Sequence, residues 1–173
     1  MNKYKVFIDG SAGTTGLRIY ERLENRDDIE LLKLDDSKRK DASERKEMIN
    51  KSDITFLCLP DDASRESVSF VSNENTVIID TSTAHRTAEG WAYGFPELSK
   101  EMRENIKNSK RIAVPGCHAS GFTAIIYPLV KSGAISNDYP ISSFSLSGYS
   151  GAGKKAIAEY EDDGRPAEYG SPR

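Results

Sequence analysis

Histidine and cysteine are scarce in this 173-residue chain, which has two of each and a single tryptophan. Cys58 and Cys117 stand in unlike contexts, so neither a disulfide framework nor a cysteine-bound metal cluster can be built from them, and no metal site is expected. No charge of one sign dominates: 24 Lys and Arg face 27 Asp and Glu, for a net charge of −3. The basic residues are scattered, which excludes the patch that nucleic acid or an anionic membrane would favour. Long apolar runs are missing as well. None approaches the roughly 20 residues of a membrane span, and Met1 to Gly10 reads as a strand rather than a signal peptide. The expectation is a cytoplasmic globular protein whose partner is a small molecule.

What the chain does have is an alternation of short β-rich runs with helical ones. Strands are predicted at Tyr4 to Asp9, Ile29 to Leu34, Ile54 to Leu59 and Val77 to Asp80, with helices at Leu17 to Leu23, Ser43 to Asn50 and Ala63 to Val71. The strands are nearly continuous in Val, Ile, Leu and Phe, as expected where helices cover both faces of a parallel sheet. This predicts an α/β fold with a doubly wound, Rossmann-type parallel sheet that binds its ligand at the strands' carboxyl ends. A long connection then passes Trp91 and Pro96, followed by a polar helix at Ser99 to Asn108 and a strand at Arg111 to Val114. Beyond a Pro115-Gly116-Cys117 turn, an apolar helix is predicted at Ser120 to Val130 and a strand at Ile141 to Leu146. A glycine loop, one short helix and a polar tail complete the chain, with no internal repeats or low-complexity tract.

Gly10-Ser11-Ala12-Gly13-Thr14-Thr15-Gly16 directly follows the first strand and opens the first helix, the context of a dinucleotide fingerprint. Glycines let the backbone approach a pyrophosphate, and the free N–H groups of the helix start favour its charge. The spacing is G-x-x-G-x-x-G rather than the stricter G-x-G-x-x-G, and a glycine-rich packing turn is the alternative. After the second strand, Asp35 suits a free ribose 2′-hydroxyl and hence NAD, whereas Ser37, Lys38 and Arg39 suit a 2′-phosphate. NADP is the preferred cofactor, with a solvated charge run as the alternative.

Cys58 falls in an apolar strand and reads as a small buried hydrophobe. Cys117 lies between a Pro-Gly turn and a helix start, where N–H dipoles stabilise a thiolate, and Ala-Ser-Gly after it keeps the approach open. It is the candidate catalytic nucleophile, against the alternative of a structural thiol. Neither histidine is marked as its base: His118 would project about 100° away along the helix, and His85 could line the cleft without any local pattern to single it out. Gly148 to Lys154 nearly spells a Walker loop, but Lys155 stands where a Ser or Thr should hold Mg²⁺. An anion-binding nest involving Gly151, Gly153 and Lys154 is the better reading, ahead of a plain flexible loop.

Taken together, Gly10 to Gly16, Cys58-Leu59-Pro60-Asp61-Asp62, Ser82-Thr-Ala-His85-Arg86, Tyr93-Gly-Phe-Pro-Glu97, Pro115-Gly-Cys117 and Ser147 to Lys154 resemble the N-acetyl-gamma-glutamyl-phosphate reductase family, in its shorter second type. The resemblance runs from the first strand to Arg173. It implies an enzyme of arginine biosynthesis that reduces N-acetyl-glutamyl phosphate to the semialdehyde with NADPH, on a fold shared with aspartate-semialdehyde dehydrogenase. It implies that Cys117 forms a thioester, that Leu59 and Pro60 join the loop in binding cofactor, and that Ser82 and Arg86 bind the substrate or its leaving phosphate. The implied organisation is an NADP-binding domain at 1–116 and the start of an α+β catalytic and dimerisation domain at 117–173. Family members continue well beyond this point with their catalytic histidine, so the chain reads as cut at its C-terminus, inactive alone, and a homodimer or tetramer when whole. Two rivals remain: a non-catalytic NADP-binding module, and the related enzyme acting on aspartyl phosphate.

Overall fold

β-branched and aromatic residues in runs of four to six cannot all face one side of a strand, so they must be covered on both faces. In a computed structural model, which describes residues 3–162 with the side chains of 150 and 152–156 excepted, they are. The strands are β1 (Tyr4–Asp9), β2 (Ile29–Leu32), β3 (Ile54–Leu57), β4 (Val77–Asp80), β5 (Ala92–Tyr93) and β6 (Arg111–Ala113). They form one sheet in the order β2-β1-β3-β4-β6-β5, with every neighbouring pair parallel. The helices are α1 (Thr14–Leu23), α2 (Ala42–Lys51), α3 (Asp61–Ser69), α4 (Lys100–Asn108), α5 (Cys117–Lys131) and α6 (Gly153–Glu161). Phe7, Leu57 and Ile78 from three adjacent strands and Ile49 from α2 make the core, on which Leu32, Val68, Phe70 and Trp91 pack.

The chain leaves β1 for β2 on one side and returns to β3 on the other, which places a crevice at the carboxyl ends of β1 and β3. A charged node lies just beneath it. Asp9, the last residue of β1, is 4% exposed and meets Arg45 Nε of α2 at 3.1 Å and the Ser67 hydroxyl of α3 at 2.8 Å. Arg45 also reaches the half-exposed Glu66 at 2.7 Å. Helix starts follow local chemistry: Asp41 caps α2 by accepting from the N–H groups of Ser43 and Glu44, and Ser99 caps α4 by accepting from Met102.

The structure departs from the sequence reading at several elements. The run 141–146, expected as a strand, has no ladder among the described residues, and Phe144 and Leu146 stay exposed. A strand needs a partner to take its N–H and C=O groups, and no described segment supplies one. The long connection after β4 contains the two-residue edge strand β5, paired with β6. Helix α1 begins at Thr14 rather than Leu17, and α5 at Cys117 rather than Ser120. The chain divides into two compact units, 1–139 and 140–173. The described part of the second holds a 3₁₀ turn (Tyr149–Ala152) and α6, with the Tyr149 and Tyr160 rings edge to face at 5.5 Å. No helix among the described residues is long and apolar enough to cross a membrane.

Candidate active site

The glycine loop is built by close approach. Gly10 has φ +89°, and a Cβ there would sit 2.3 Å from the Cys58 carbonyl oxygen, at the end of β3. At Gly16, inside α1, a Cβ would come within 2.4 Å of the Gly10 oxygen. Gly13 caps α1 in extended conformation and donates its N–H to Gly10 at 3.0 Å. Ser11 is half-buried, whereas Ala12, Thr14 and Thr15 are exposed around this helix start. Leu59 lies alongside, its Cδ2 being 3.1 Å from the position of that absent Gly10 Cβ, and Pro60 caps α3. The structure thus gathers Gly10 to Gly16, Leu59 and Pro60 at the crevice between β1 and β3. A dinucleotide fits this cradle, because two of its three glycines are places where only hydrogen leaves room.

Ser37, Lys38 and Arg39 lie in and just after a 3₁₀ turn (Asp36–Lys38) beyond β2. Ser37 is exposed, Lys38 pairs with Glu44, and Arg39 Nη2 lies 3.2 Å from Asp36. Exposed pairs of this kind are worth about 0–1 kcal/mol, whereas a charge-assisted bond to a phosphate contributes about 1.5–3 kcal/mol. Both cations are thus held by weak, exposed pairs with their acidic neighbours.

The second cluster sits at the carboxyl ends of β4 and β6. Arg86 sends Nε to the Val114 carbonyl at 3.0 Å and Nη2 to the Thr81 carbonyl at 3.2 Å, so its guanidinium bridges the two strands where their ladder ends. A Cβ on Gly116 would lie 2.9 Å from Arg86 Nη1. A side chain at position 116 would therefore press on a guanidinium that is tied at two points. Cys117 follows as the first residue of α5 and is exposed, and Ser120 closes the turn by donating its N–H and hydroxyl to the Gly116 carbonyl at 2.8 and 2.9 Å. Arg86 and Cys117 are thus brought to one corner.

Ser82 points elsewhere. Its hydroxyl donates to Asp80 at 2.7 Å and accepts from the Ala84 N–H at 3.1 Å, within a buried network that also takes in His85 and Ser64. This network at the end of β4 escaped the sequence reading. In the other unit, Gly151 lies in the 3₁₀ turn and donates its N–H to the Gly148 carbonyl at 3.0 Å. Gly153 opens α6, and the side chain of Lys154 lies outside the described residues.

The two thiols differ in kind. Cys58 is half-buried, and burial pushes its thiol up to about 11, although a hydrogen bond involving Thr81 works the other way. Iodoacetamide near neutral pH is expected to label Cys117 and spare Cys58, whose labelling should rise only as the pH approaches about 11 and its thiolate forms. Peptide mapping after short exposures checks this, and first labelling at Cys58 would contradict it.

Residues 5–109 match the family described as semialdehyde dehydrogenase, NAD binding domain, and residues 117–167 match semialdehyde dehydrogenase, dimerisation domain. The chain belongs to the semialdehyde dehydrogenase family. Within this family it is 53% identical over 161 residues to N-acetyl-gamma-glutamyl-phosphate reductase 2 of Nostoc sp., which covers 93% of this chain and 50% of the relative. It is 48% identical over 171 residues to the N-acetyl-gamma-glutamyl-phosphate reductase of Rhizobium meliloti, covering 98% of this chain and 55% of that one. The chain therefore spans about half the length of the curated relatives it matches. Among solved structures, aspartate semialdehyde dehydrogenase from Francisella tularensis shares the semialdehyde dehydrogenase fold with a TM-score of 0.63 at 18% identity, over 90% of this chain and 48% of that one. The enzyme from Candida albicans, solved with NADP, gives 0.56 at 14% identity over 76% and 48%.

Proposed function

We propose that this chain carries the dinucleotide site and the nucleophile of an NADP-dependent reductase that converts N-acetyl-glutamyl 5-phosphate to the 5-semialdehyde, a cytoplasmic step of arginine biosynthesis. The observation that carries the reading is the corner where the Arg86 guanidinium lies against Gly116, directly before the exposed Cys117. An acyl phosphate needs a nucleophile at its carbonyl carbon and a cation at its phosphate, and these two side chains meet that need. The relatives' names point to the same substrate.

In this mechanism the Cys117 thiolate attacks the acyl carbon and the C–O bond to phosphate breaks, leaving a thioester and a phosphate that takes up a proton. Arg86 balances the charge of the leaving group. Gly10 to Gly16, Leu59 and Pro60 would hold the reduced nicotinamide nucleotide, which would supply a hydride to the thioester carbon on Cys117 and leave a thiohemiacetal there. Collapse of that adduct releases aldehyde and returns the thiolate. Cys117 is the first residue of α5, at the end of the helix where backbone N–H groups have no intrahelical partner.

We assign residues 1–116 to the cofactor domain and 117–173 to the catalytic and dimerisation domain. Phe122, Ile125 and Leu129 project from one face of α5 and are exposed, which suits self-association through that face. These 173 residues by themselves are expected to bind dinucleotide with little turnover. Among the described residues His85 is bonded to Asp80 and stacked on Trp91, so it is not hydrogen-bonded to Cys117 as a base would be, and His118 lies one residue beyond Cys117 on the exposed start of α5.

Trapping tests the reading. Mixed with N-acetyl-glutamyl phosphate in the absence of nicotinamide nucleotide and quenched in acid, the chain should gain one acyl group on the peptide bearing Cys117. Cys117→Ser should abolish that mass shift, and an adduct on another residue would overturn the assignment. NADPH should bind more tightly than NADH. Arg39→Ala should cost roughly 10- to 150-fold in NADPH affinity and little in NADH affinity by calorimetric titration, and equal losses for the two would refute the 2′-phosphate site.

A further inference from the structure

Asp80 ends β4 fully buried, and its carboxylate is saturated. Oδ1 accepts from the Ser64 hydroxyl at 2.7 Å and the Ser82 N–H at 3.0 Å, and Oδ2 accepts from the Ser82 hydroxyl at 2.7 Å and pairs with His85 Nδ1 at 2.6 Å. Burial pushes this carboxyl up, but the hydrogen bonds from His85, Ser64 and Ser82 together outweigh it and hold Asp80 below the usual carboxylate range. An ionised carboxylate can only accept, so the proton lies on His85 Nδ1. The other face of the restraint is Trp91, whose ring stacks on that of His85 at 4.1 Å and 11°. Hydrogen bond and stack fix the imidazole in direction and in plane, and at 7% exposure it is shielded from water.

Three of the four bonds to Asp80 come from the turn that immediately follows it, and that turn delivers Arg86. The turn is tied to that carboxylate at three points and runs directly into Arg86, whose guanidinium bonds the Thr81 and Val114 carbonyls and lies against Gly116.

We propose that His85 is a positioning residue: by tying the turn after β4 to Asp80, it holds Arg86 against Gly116 so that a phosphate can be bound beside Cys117. The inference rests on the reading of Arg86 and Cys117 given above. The role needs no proton transfer to Cys117: His85 acts through its Nδ1 bond to Asp80 and its stack on Trp91.

Protection of Cys117 by inorganic phosphate tests it without requiring turnover. Phosphate should slow iodoacetamide labelling of Cys117 in the unaltered chain, and Arg86→Leu should remove that protection. His85→Asn places an amide nitrogen near the position of Nδ1 and should leave the half-protecting phosphate concentration close to that of the unaltered chain. His85→Gln places its nitrogen near Nε2 instead and should raise that concentration roughly tenfold or more. Equal behaviour of the two variants, or an unchanged value in a folded His85→Gln protein, would overturn the proposal. Should His85→Gln fail to fold, as judged by circular dichroism, Ser82→Ala takes its place as a milder cut in the same network. A rise of about threefold then supports the proposal and no rise overturns it. If phosphate gives no protection, or protects equally in Arg86→Leu, the phosphate-site reading itself falls and takes the inference with it. Protection that needs Arg86 but ignores His85 sinks the inference alone.

Discussion

Alanine at position 10 is expected to lower the melting temperature by roughly 4–20 °C and to abolish dinucleotide binding. Two costs add. The residue has φ +89°, where a side chain costs about 1–2 kcal/mol, and the new Cβ would lie 2.3 Å from a backbone oxygen of Cys58. A backbone atom cannot swing aside as a side chain can, so the ends of β1 and β3 must part, at a cost of about 1–3 kcal/mol typical of overpacking. The sum is about 2–5 kcal/mol, and each kcal/mol moves the melting point of a domain this size by about 2–4 °C. Gly13→Ala is the control: its Cβ would have no neighbour nearer than 3.4 Å, and the residue has ordinary negative φ. Thermal unfolding of both variants and nucleotide titration decide the matter. Equal melting points for the two would refute the account.

Arg45→Met should be at least as damaging, for an electrostatic reason. It strips the counter-charge from Asp9, which is 4% exposed, and leaves Ser67 as its hydrogen-bond donor from α3. Removing one partner of a buried ion pair costs about 3–5 kcal/mol, whereas the lost bond to half-exposed Glu66 counts for about 1 kcal/mol at most. The pH dependence has a definite sign. Burial, the largest influence, already raises the Asp9 carboxyl above its usual value, with Arg45 offsetting only part of the rise. Without Arg45 it rises further. A carboxyl raised in the folded state contributes stability at low pH that is lost as pH climbs through its folded value. The gap between Arg45→Met and the unaltered chain should therefore be widest near neutral pH and narrow on acidification. Asp9→Asn added to Arg45→Met should recover part of the loss, since the variant then buries no charge. Denaturant titrations at neutral and mildly acidic pH measure both effects, and a gap that widens in acid would contradict them.

The parts of the fold that could be read in advance are those in which each residue signals by itself. β1, with Val6, Phe7 and Ile8 in unbroken succession, announces a strand buried on both faces, and the glycines after it mark the crevice. Cys117 stood out by its Pro-Gly turn. The parts that could not be read depend on partners distant in sequence. β5 is two residues long and exists because β6 lies beside it, while 141–146 carries apolar residues in a strand-like run yet forms no ladder with any described segment. The Asp80 network joins Ser64 of α3 to a turn 16 and more residues later, a meeting that spacing cannot foretell. Arg86 was marked only by the family resemblance. That two of its nitrogens bind carbonyls on separate strands was not legible, because those carbonyls belong to the backbone and carry no residue-specific mark.

The bridge from Arg86 to Val114 also bears on the order in which the protein takes shape as it is synthesised. By residue 80 the four strands β2, β1, β3 and β4 and the glycine crevice are all present, so the nucleotide half can assemble while later residues are still being added. Arg86 has one of its two carbonyl partners at Thr81 already, but the other is 28 residues further on, at the end of β6. The corner that holds the thiol must wait for that strand to dock across the edge of a finished sheet. On the function proposed here, the crevice for the cofactor would be complete in a growing chain before Cys117 has been added to it.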